Sequence, residues 1–174
     1  MSYHFTYFIN SSFFADKLLL ALALVLAATT SAVLAEDIDF SGRYKMTVAD
    51  TSNYKDLLYE LGIGYFKRLA AGASGSEYVI TRNKEAGTYT LQTVTTFSTA
   101  AVTFKSGEEF DEPRADGQTV KSTIVISGNK WTHVQKGSPT VTIERTFQGG
   151  NPPTYIDVIT KCNAVTVTRK YERQ

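Results

Sequence analysis

The chain has few of the residues from which metal centres, redox sites and disulfide frameworks are built. Cys162 is the single cysteine among 174 residues, so neither an intramolecular disulfide nor a CxxC motif can form. The only histidines are His4 and His133, too few with one cysteine for a structural zinc site. Charge of either sign is not in excess: 18 Lys and Arg against 17 Asp and Glu leave a formal net charge of +1. Bulk electrostatics therefore argue against a nucleic-acid partner, and nothing in the sequence calls for a metal or a cofactor. A GxSxG nucleophile motif is also missing, and His133 is the one neutral-pH base outside the N-terminus.

Long apolar runs are scarce too, with one exception. Residues 18–28 form an unbroken run of Leu, Ala and Val behind Lys17, and Thr29 to Ala35 then supplies small residues before Glu36-Asp37. A positive residue, an apolar run and a small-residue site together predict a secretory signal peptide cut after Ala35. A signal anchor is the alternative, since 18–35 is a borderline span, but Thr29, Thr30 and Ser31 weaken it. The sequon Asn10-Ser11-Ser12 would leave with the leader. The working domain is then 36–174, secreted, or cytoplasmic if the leader is not used.

What the chain does contain is β-forming material. Apolar residues make up 43%, and ten Tyr and ten Phe stand against one Trp and two Met. Phe40 to Val48 alternates, with Phe40, Tyr44, Met46 and Val48 on one face. From Tyr54 the period changes: Tyr54, Leu57, Leu58 and Leu61 sit at helical spacing up to Gly62, and Ile63 to Ala71 carries a second short helical pattern. Nine further strands are expected, at 77–82, 88–95, 101–105, 108–112, 118–126, 130–136, 141–148, 155–161 and 165–171. Tight turns at Gly87, Ser106-Gly107, Asp116-Gly117 and Gly128-Asn129 divide them, which predicts an antiparallel meander. About ten strands in one sheet are best accommodated by closing into a barrel with room inside.

Two strands carry a charge where none is expected. Arg169 shares a face with Val165, Val167 and Tyr171, and Arg145 shares one with Val141, Ile143 and Phe147. An arginine enclosed among apolar side chains needs an anion. Two guanidiniums and a tyrosine hydroxyl would hold a carboxylate, with the rest of the cavity accepting an acyl chain or polyene. Alternatively, each arginine pairs with an internal glutamate or reaches water at the barrel rim.

The chain resembles the intracellular lipid-binding proteins, best known as fatty acid-binding proteins, over 38–173. The resemblance rests on Phe40-Ser41-Gly42-Arg43-Tyr44-Lys45-Met46, Leu61-Gly62-Ile63-Gly64-Tyr65 and Thr95-Thr96-Phe97. It continues through Phe104-Lys105-Ser106-Gly107-Glu108-Glu109-Phe110-Asp111-Glu112, Ala115-Asp116-Gly117, Val120-Lys121-Ser122, Thr142-Ile143-Glu144-Arg145 and Arg169-Lys170-Tyr171. It implies an all-β, ten-stranded antiparallel barrel, a β-clam, with a helix-turn-helix lid over one bound lipid. Arg145, Arg169 and Tyr171 would bind the carboxylate. Tyr54, Leu57, Leu58 and Ile63 would line the entrance beneath the lid, with Phe97 as the portal gate and Ala115 and Asp116 on the opposite rim. His133 and Gln135 would be polar cavity residues, although His133 reads equally well as a hydrogen-bonded interior imidazole. The leader departs from the usual pattern of such proteins, most of which are cytosolic.

The expected function is a monomeric, non-enzymatic carrier of a long-chain fatty acid or related apolar carboxylate, with retinoic acid as the alternative cargo. Lys67 and Arg68 could bring the lid to an anionic membrane, or simply be solvated. A lipid-acting enzyme and a barrel without cargo are the competing readings. Cys162 is expected to be an ordinary buried or half-buried thiol.

Overall fold

The computed structural model describes residues 37–174, of which Ile38–Gln174 form one unit. The apolar run 18–28, the expected cleavage after Ala35 and the Asn10 sequon lie outside the described residues. Strand β1 (Gly42–Ala49) is followed by helices α1 (Thr51–Glu60) and α2 (Tyr65–Ala73). Nine strands follow: β2 (Ser76–Asn83), β3 (Thr88–Thr95), β4 (Thr99–Phe104), β5 (Glu109–Pro113), β6 (Thr119–Ser127), β7 (Lys130–Lys136), β8 (Val141–Gln148), β9 (Tyr155–Cys162) and β10 (Val165–Arg173). The expected boundaries of β3, β7 and β8 coincide with these ranges, and the other elements shift by a few residues at their ends, where fraying and turns compete.

All pairings are antiparallel, in the order β4-β3-β2-β1-β10-β9-β8-β7-β6-β5. The meander thus curls until the first and last strands join, giving a nearly closed barrel. The sheet's two ends, β4 and β5, approach one another without a hydrogen-bonded ladder.

One part of the expected β1 face is corrected. Phe40 and Tyr44 are buried, but Val48 is 56% exposed. Met46 pairs with Tyr171 and Val48 with Lys170, so two steps along β1 match one along β10. This bulge shifts the register by one residue, and a one-residue shift turns a side chain to the other face.

Helix α1 has defined ends. The Asp50 carboxylate accepts from the Asn53 backbone N–H at 3.3 Å, as an N-cap does. At the other end, Gly62 N–H donates to Tyr59 O (2.8 Å) and Ile63 N–H to Leu58 O (2.9 Å). That is the Schellman pattern, and it needs the left-handed φ of +71° that Gly62 adopts without a Cβ penalty. Leu57 and Leu58 are buried, and Leu57 packs with Val141, Cys162 and Val167 on the barrel. Cys162 is therefore an enclosed thiol, and burial pushes its pKa up. By contrast, α2 buries none of its residues.

The end of the barrel opposite the lid is packed with aromatic rings around Trp131, which is fully enclosed. Phe147, Phe40, Tyr89 and Phe104 have centroids 5.1, 5.2, 5.3 and 5.4 Å from it, mostly edge-to-face. Such pairs add to the large area an indole buries. Trp131→Ala would open a void that surrounding strands cannot collapse into, so a loss of roughly 3–5 kcal/mol of unfolding free energy is expected. Equilibrium urea denaturation checks this; a loss under about 1 kcal/mol would contradict the packing described.

Candidate functional site

Arg145 on β8 and Arg169 on β10 both pair with Val158 on the intervening strand β9. They face inward at the same level of the barrel, two strand spacings or roughly 10 Å apart at their Cα atoms. Arg145 is 3% exposed, so it does not reach water at a rim, and Arg169 is half-buried. Neither forms an ion pair with a carboxylate among the described residues. Nε and Nη1 of Arg145 and Nε of Arg169 have no hydrogen-bond partner. The guanidiniums lie instead over aromatic rings: Arg145 is 5.0 Å from the Tyr78 centroid and Arg169 is 3.6 Å from that of Tyr54, the first aromatic of α1. Cation–π contact gives about 2 kcal/mol when desolvated, less than the several kcal/mol that each ion loses on leaving water.

A third arginine shows what satisfaction looks like. Arg173 has the same inward parity on β10, yet it donates to Pro153 O (2.7 Å), Ser41 O (2.6 Å) and Tyr44 Oη (2.9 Å). Its donors go to the chain itself. Those of Arg145 and Arg169 are left over.

The two arginines line a cavity of about 480 Å³, within the usual range for small-molecule sites. Tyr54, Leu57, Leu58 and Leu61 of α1 form part of its wall, with Leu91, Val102, Val141 and Ile143 from the strands. Exposed Thr99, Ala100 and Ala101 of β4 and Ala115 after β5 also line it, so the cavity meets the surface near the unpaired sheet ends.

Tyr171 is not part of this wall. It is fully buried, its Oη is 2.7 Å from Ser76 Oγ, and its ring stacks on Tyr78 at 4.3 Å with 24° between planes. Burial raises its pKa, so it stays protonated. Tyr78 is the lining residue, and sequence reasoning missed it. Its one sequence signal is parity with Ile80 on β2, which looks like ordinary core. Burial pushes the Tyr78 hydroxyl up, but the positive charges of Arg145 and Arg169 outweigh burial and bring its pKa below the usual value.

His133 and Gln135 line the cavity, as does Glu112, which they adjoin. Glu112 Oε2 accepts from Ser122 Oγ (2.6 Å) and lies 2.8 Å from His133 Nε2. Burial opposes ionisation of Glu112, but bonds from His133, Ser122 and Gln135 hold its carboxyl below the usual range. Burial also pushes the His133 imidazole down, beyond the upward pull of Glu112, and Arg145 adds to it. The imidazole is then neutral, donates from Nε2 to the carboxylate, and leaves Nδ1 without a partner.

The remaining expected residues are more dispersed. Ile63 is half-buried behind Gly62 and outside the cavity wall, and Phe97 is 70% exposed on the turn between β3 and β4. Ala115 lines the cavity, but Asp116 turns away from it. The Asp116 carboxylate accepts from Arg114 Nε (3.0 Å) and Gln118 N–H (3.1 Å), which ties down the turn after β5. Lys67 is exposed, whereas Arg68 is half-buried, donates to Ile63 O at 2.6 Å and lies 5.0 Å from the Tyr59 centroid.

Comparison with known proteins places this geometry. The profile of the lipocalin / cytosolic fatty-acid binding protein family matches residues 41–174. A fatty acid-binding protein of Tyrophagus putrescentiae is 37% identical over 139 residues, covering 79% of this chain and 99% of the relative. A fatty acid-binding protein from Drosophila melanogaster brain tissue superposes with a TM-score of 0.70 at 35% identity, over 77% of this chain and 99% of that one. A Schistosoma mansoni fatty acid binding protein in complex with arachidonic acid has a TM-score of 0.69 at 28% identity, over 78% and 96%. The chain belongs to the lipocalin / cytosolic fatty-acid binding protein family.

Proposed function

We propose that this protein is a non-enzymatic carrier that encloses one long-chain fatty acid or similar apolar carboxylate in its barrel. The observation that carries the reading is the pair of buried Arg145 and half-buried Arg169, without a carboxylate partner among the described residues, at the wall of a largely apolar cavity. A carboxylate head would take the leftover N–H donors as charge-assisted bonds. Burial of the acyl chain would supply the main driving force, roughly 0.8 kcal/mol per methylene before the costs of binding. The relatives' names and the arachidonic acid of the Schistosoma mansoni complex support the same cargo class. A net charge of +1 argues against a nucleic-acid partner.

The polar groups near the cavity are arranged for binding rather than catalysis. Ser122 Oγ donates to Glu112 and not to His133, so the imidazole does not activate this hydroxyl. Cys162 lies in the cluster beneath α1, with a raised pKa unsuited to a nucleophile.

Cargo exchange would take place at the lid. Tyr65, Phe66 and Leu69 of α2 are 63%, 83% and 49% exposed, and Lys67 stands beside them. An apolar face with a cation suits transient contact with an anionic membrane. The leader adds a location: the family profile begins at residue 41, downstream of the apolar run 18–28, and we take that run as a signal that sends the carrier out of the cell.

Delipidated protein is expected to bind a fluorescent fatty acid that unlabelled fatty acids displace. In the same assay, Arg169→Ala should weaken acids at least tenfold while leaving methyl esters nearly unchanged. Failure of fatty acids and retinoic acid alike to bind removes the carrier reading; equal losses for acid and ester remove the head-group assignment. Transfer of bound fatty acid to anionic vesicles is expected to slow several-fold in Lys67→Glu, and an unchanged rate would end the membrane proposal. N-terminal sequencing of secreted protein should begin near Glu36; an intact Met1 would count against the signal.

A further inference from the structure

The cavity holds a second polar centre, opposite in sign to the arginines. Glu112 of β5 lines it together with His133 and Gln135 of β7. Oε2 of Glu112 accepts from Ser122 Oγ at 2.6 Å and from His133 Nε2 at 2.8 Å, and no Lys or Arg pairs with it among the described residues. Hydrogen bonds from neutral neighbours hold the carboxyl ionised although burial opposes it. Ser122 and His133 are fully enclosed, whereas Glu112 keeps 9% of its surface, so the carboxylate is what this group turns to the cavity. Ser122 and His133 take two of the roughly four acceptor positions of a carboxylate, and an adjoining amide such as that of Gln135 can take one more. Room is left for a donor that the chain does not supply.

We infer that Glu112 accepts a hydrogen bond from a hydroxyl on the cargo, so that the preferred ligand is a mid-chain hydroxy fatty acid rather than an unsubstituted one. The assignment rests on the carrier reading and adds a second point of attachment to it. Arg145 pairs with Trp131 at the closed end, and His133 stands two residues further along β7 towards the rim. One strand spacing and two residues therefore separate the two sites, roughly 8 Å at their Cα atoms. An acid held by the arginines passes Glu112 several methylenes from its head group. A hydroxyl elsewhere along the chain would meet Leu91, Val102, Val141 or Ile143 and lose its water without compensation. Opposite Glu112 it donates to an ionised acceptor, which is the stronger class of hydrogen bond. Ser122 and His133 are on this view positioning residues: they fix the carboxylate from behind and act on the cargo only through it.

The test uses delipidated protein and measures displacement of a fluorescent fatty acid by hexadecanoic acid and by its isomeric hydroxy derivatives, with the hydroxyl moved stepwise along the chain. A mid-chain isomer is expected to bind about five- to tenfold tighter than isomers with the hydroxyl nearer the head or the far end. Capping that hydroxyl as its methyl ether removes the donor and should abolish the preference. In Glu112→Gln the lead of the mid-chain isomer should shrink to about twofold or less, because the amide oxygen is a neutral acceptor. The charge of Glu112 acts alike on isomers that share one carboxylate, so a Glu112→Gln protein in which all isomers shift by the same factor overturns the assignment. A wild-type series without a mid-chain maximum also overturns it, as does a methyl ether that binds as tightly as the alcohol. Both of these results stand if Glu112→Gln does not fold. A protein that binds none of the acids overturns the carrier reading as well, whereas binding of hexadecanoic acid without preference among the hydroxy isomers overturns this assignment alone.

Discussion

The structure depends on one unfavourable arrangement: two guanidiniums turned into the same barrel, on either side of Val158, with no carboxylate among the described residues to meet them. Two like charges out of water cost several kcal/mol that their stacking on Tyr78 and Tyr54 does not return. Such a site persists only because the rest of the molecule determines it. Arg145 and Arg169 sit mid-strand in ladders that run the length of β8, β9 and β10, so neither can swing its backbone away without breaking a register.

The barrel accordingly divides its labour by height. One end is closed by rings around Trp131, and Arg173 ties the end of β10 to the carbonyls of Ser41 and Pro153. This end stabilises the fold. The other end contains the cavity, roofed on one side by α1 and open where β4 and β5 fail to pair. Between them, Glu112, Ser122 and neutral His133 form a compact polar group at the cavity wall. The lid itself is anchored unequally. Leu57 and Leu58 hold α1 on the barrel, whereas α2 buries nothing and leaves Phe66 in water. Elements with few buried apolar contacts open at low free-energy cost, so α2 separates from the barrel more readily than α1.

Much of this was legible in the chain. Alternation of apolar and polar residues located β3, β7 and β8 to the residue, and the change of period at Tyr54 located α1. Parity placed Arg145 and Arg169 on apolar faces, because a strand cannot send neighbouring residues to the same side. The readings that changed involve contacts rather than periodicity. Val48 left its expected face because a bulge reset the register against β10, and a bulge is a property of two strands, not of one. Asp116 turned from the rim to Arg114 because a charge beside it in space competes with any role that its position suggests.

The sequence by itself therefore determined an all-β meander of ten strands, a pair of short helices and two inward arginines, since each follows from local period, turn chemistry and parity. Only the tertiary structure decided what those arginines meet. Arg173 has the same inward parity as Arg169 and finds carbonyl oxygens, while Arg169 finds a tyrosine ring from the lid. Tyr171 was expected at the cavity wall, and Tyr78 stands there instead, because strand pairing across β10, β1 and β2 stacks one phenol in front of the other. Which of two buried rings faces an empty space depends on distances across the barrel, and no spacing along the chain encodes those.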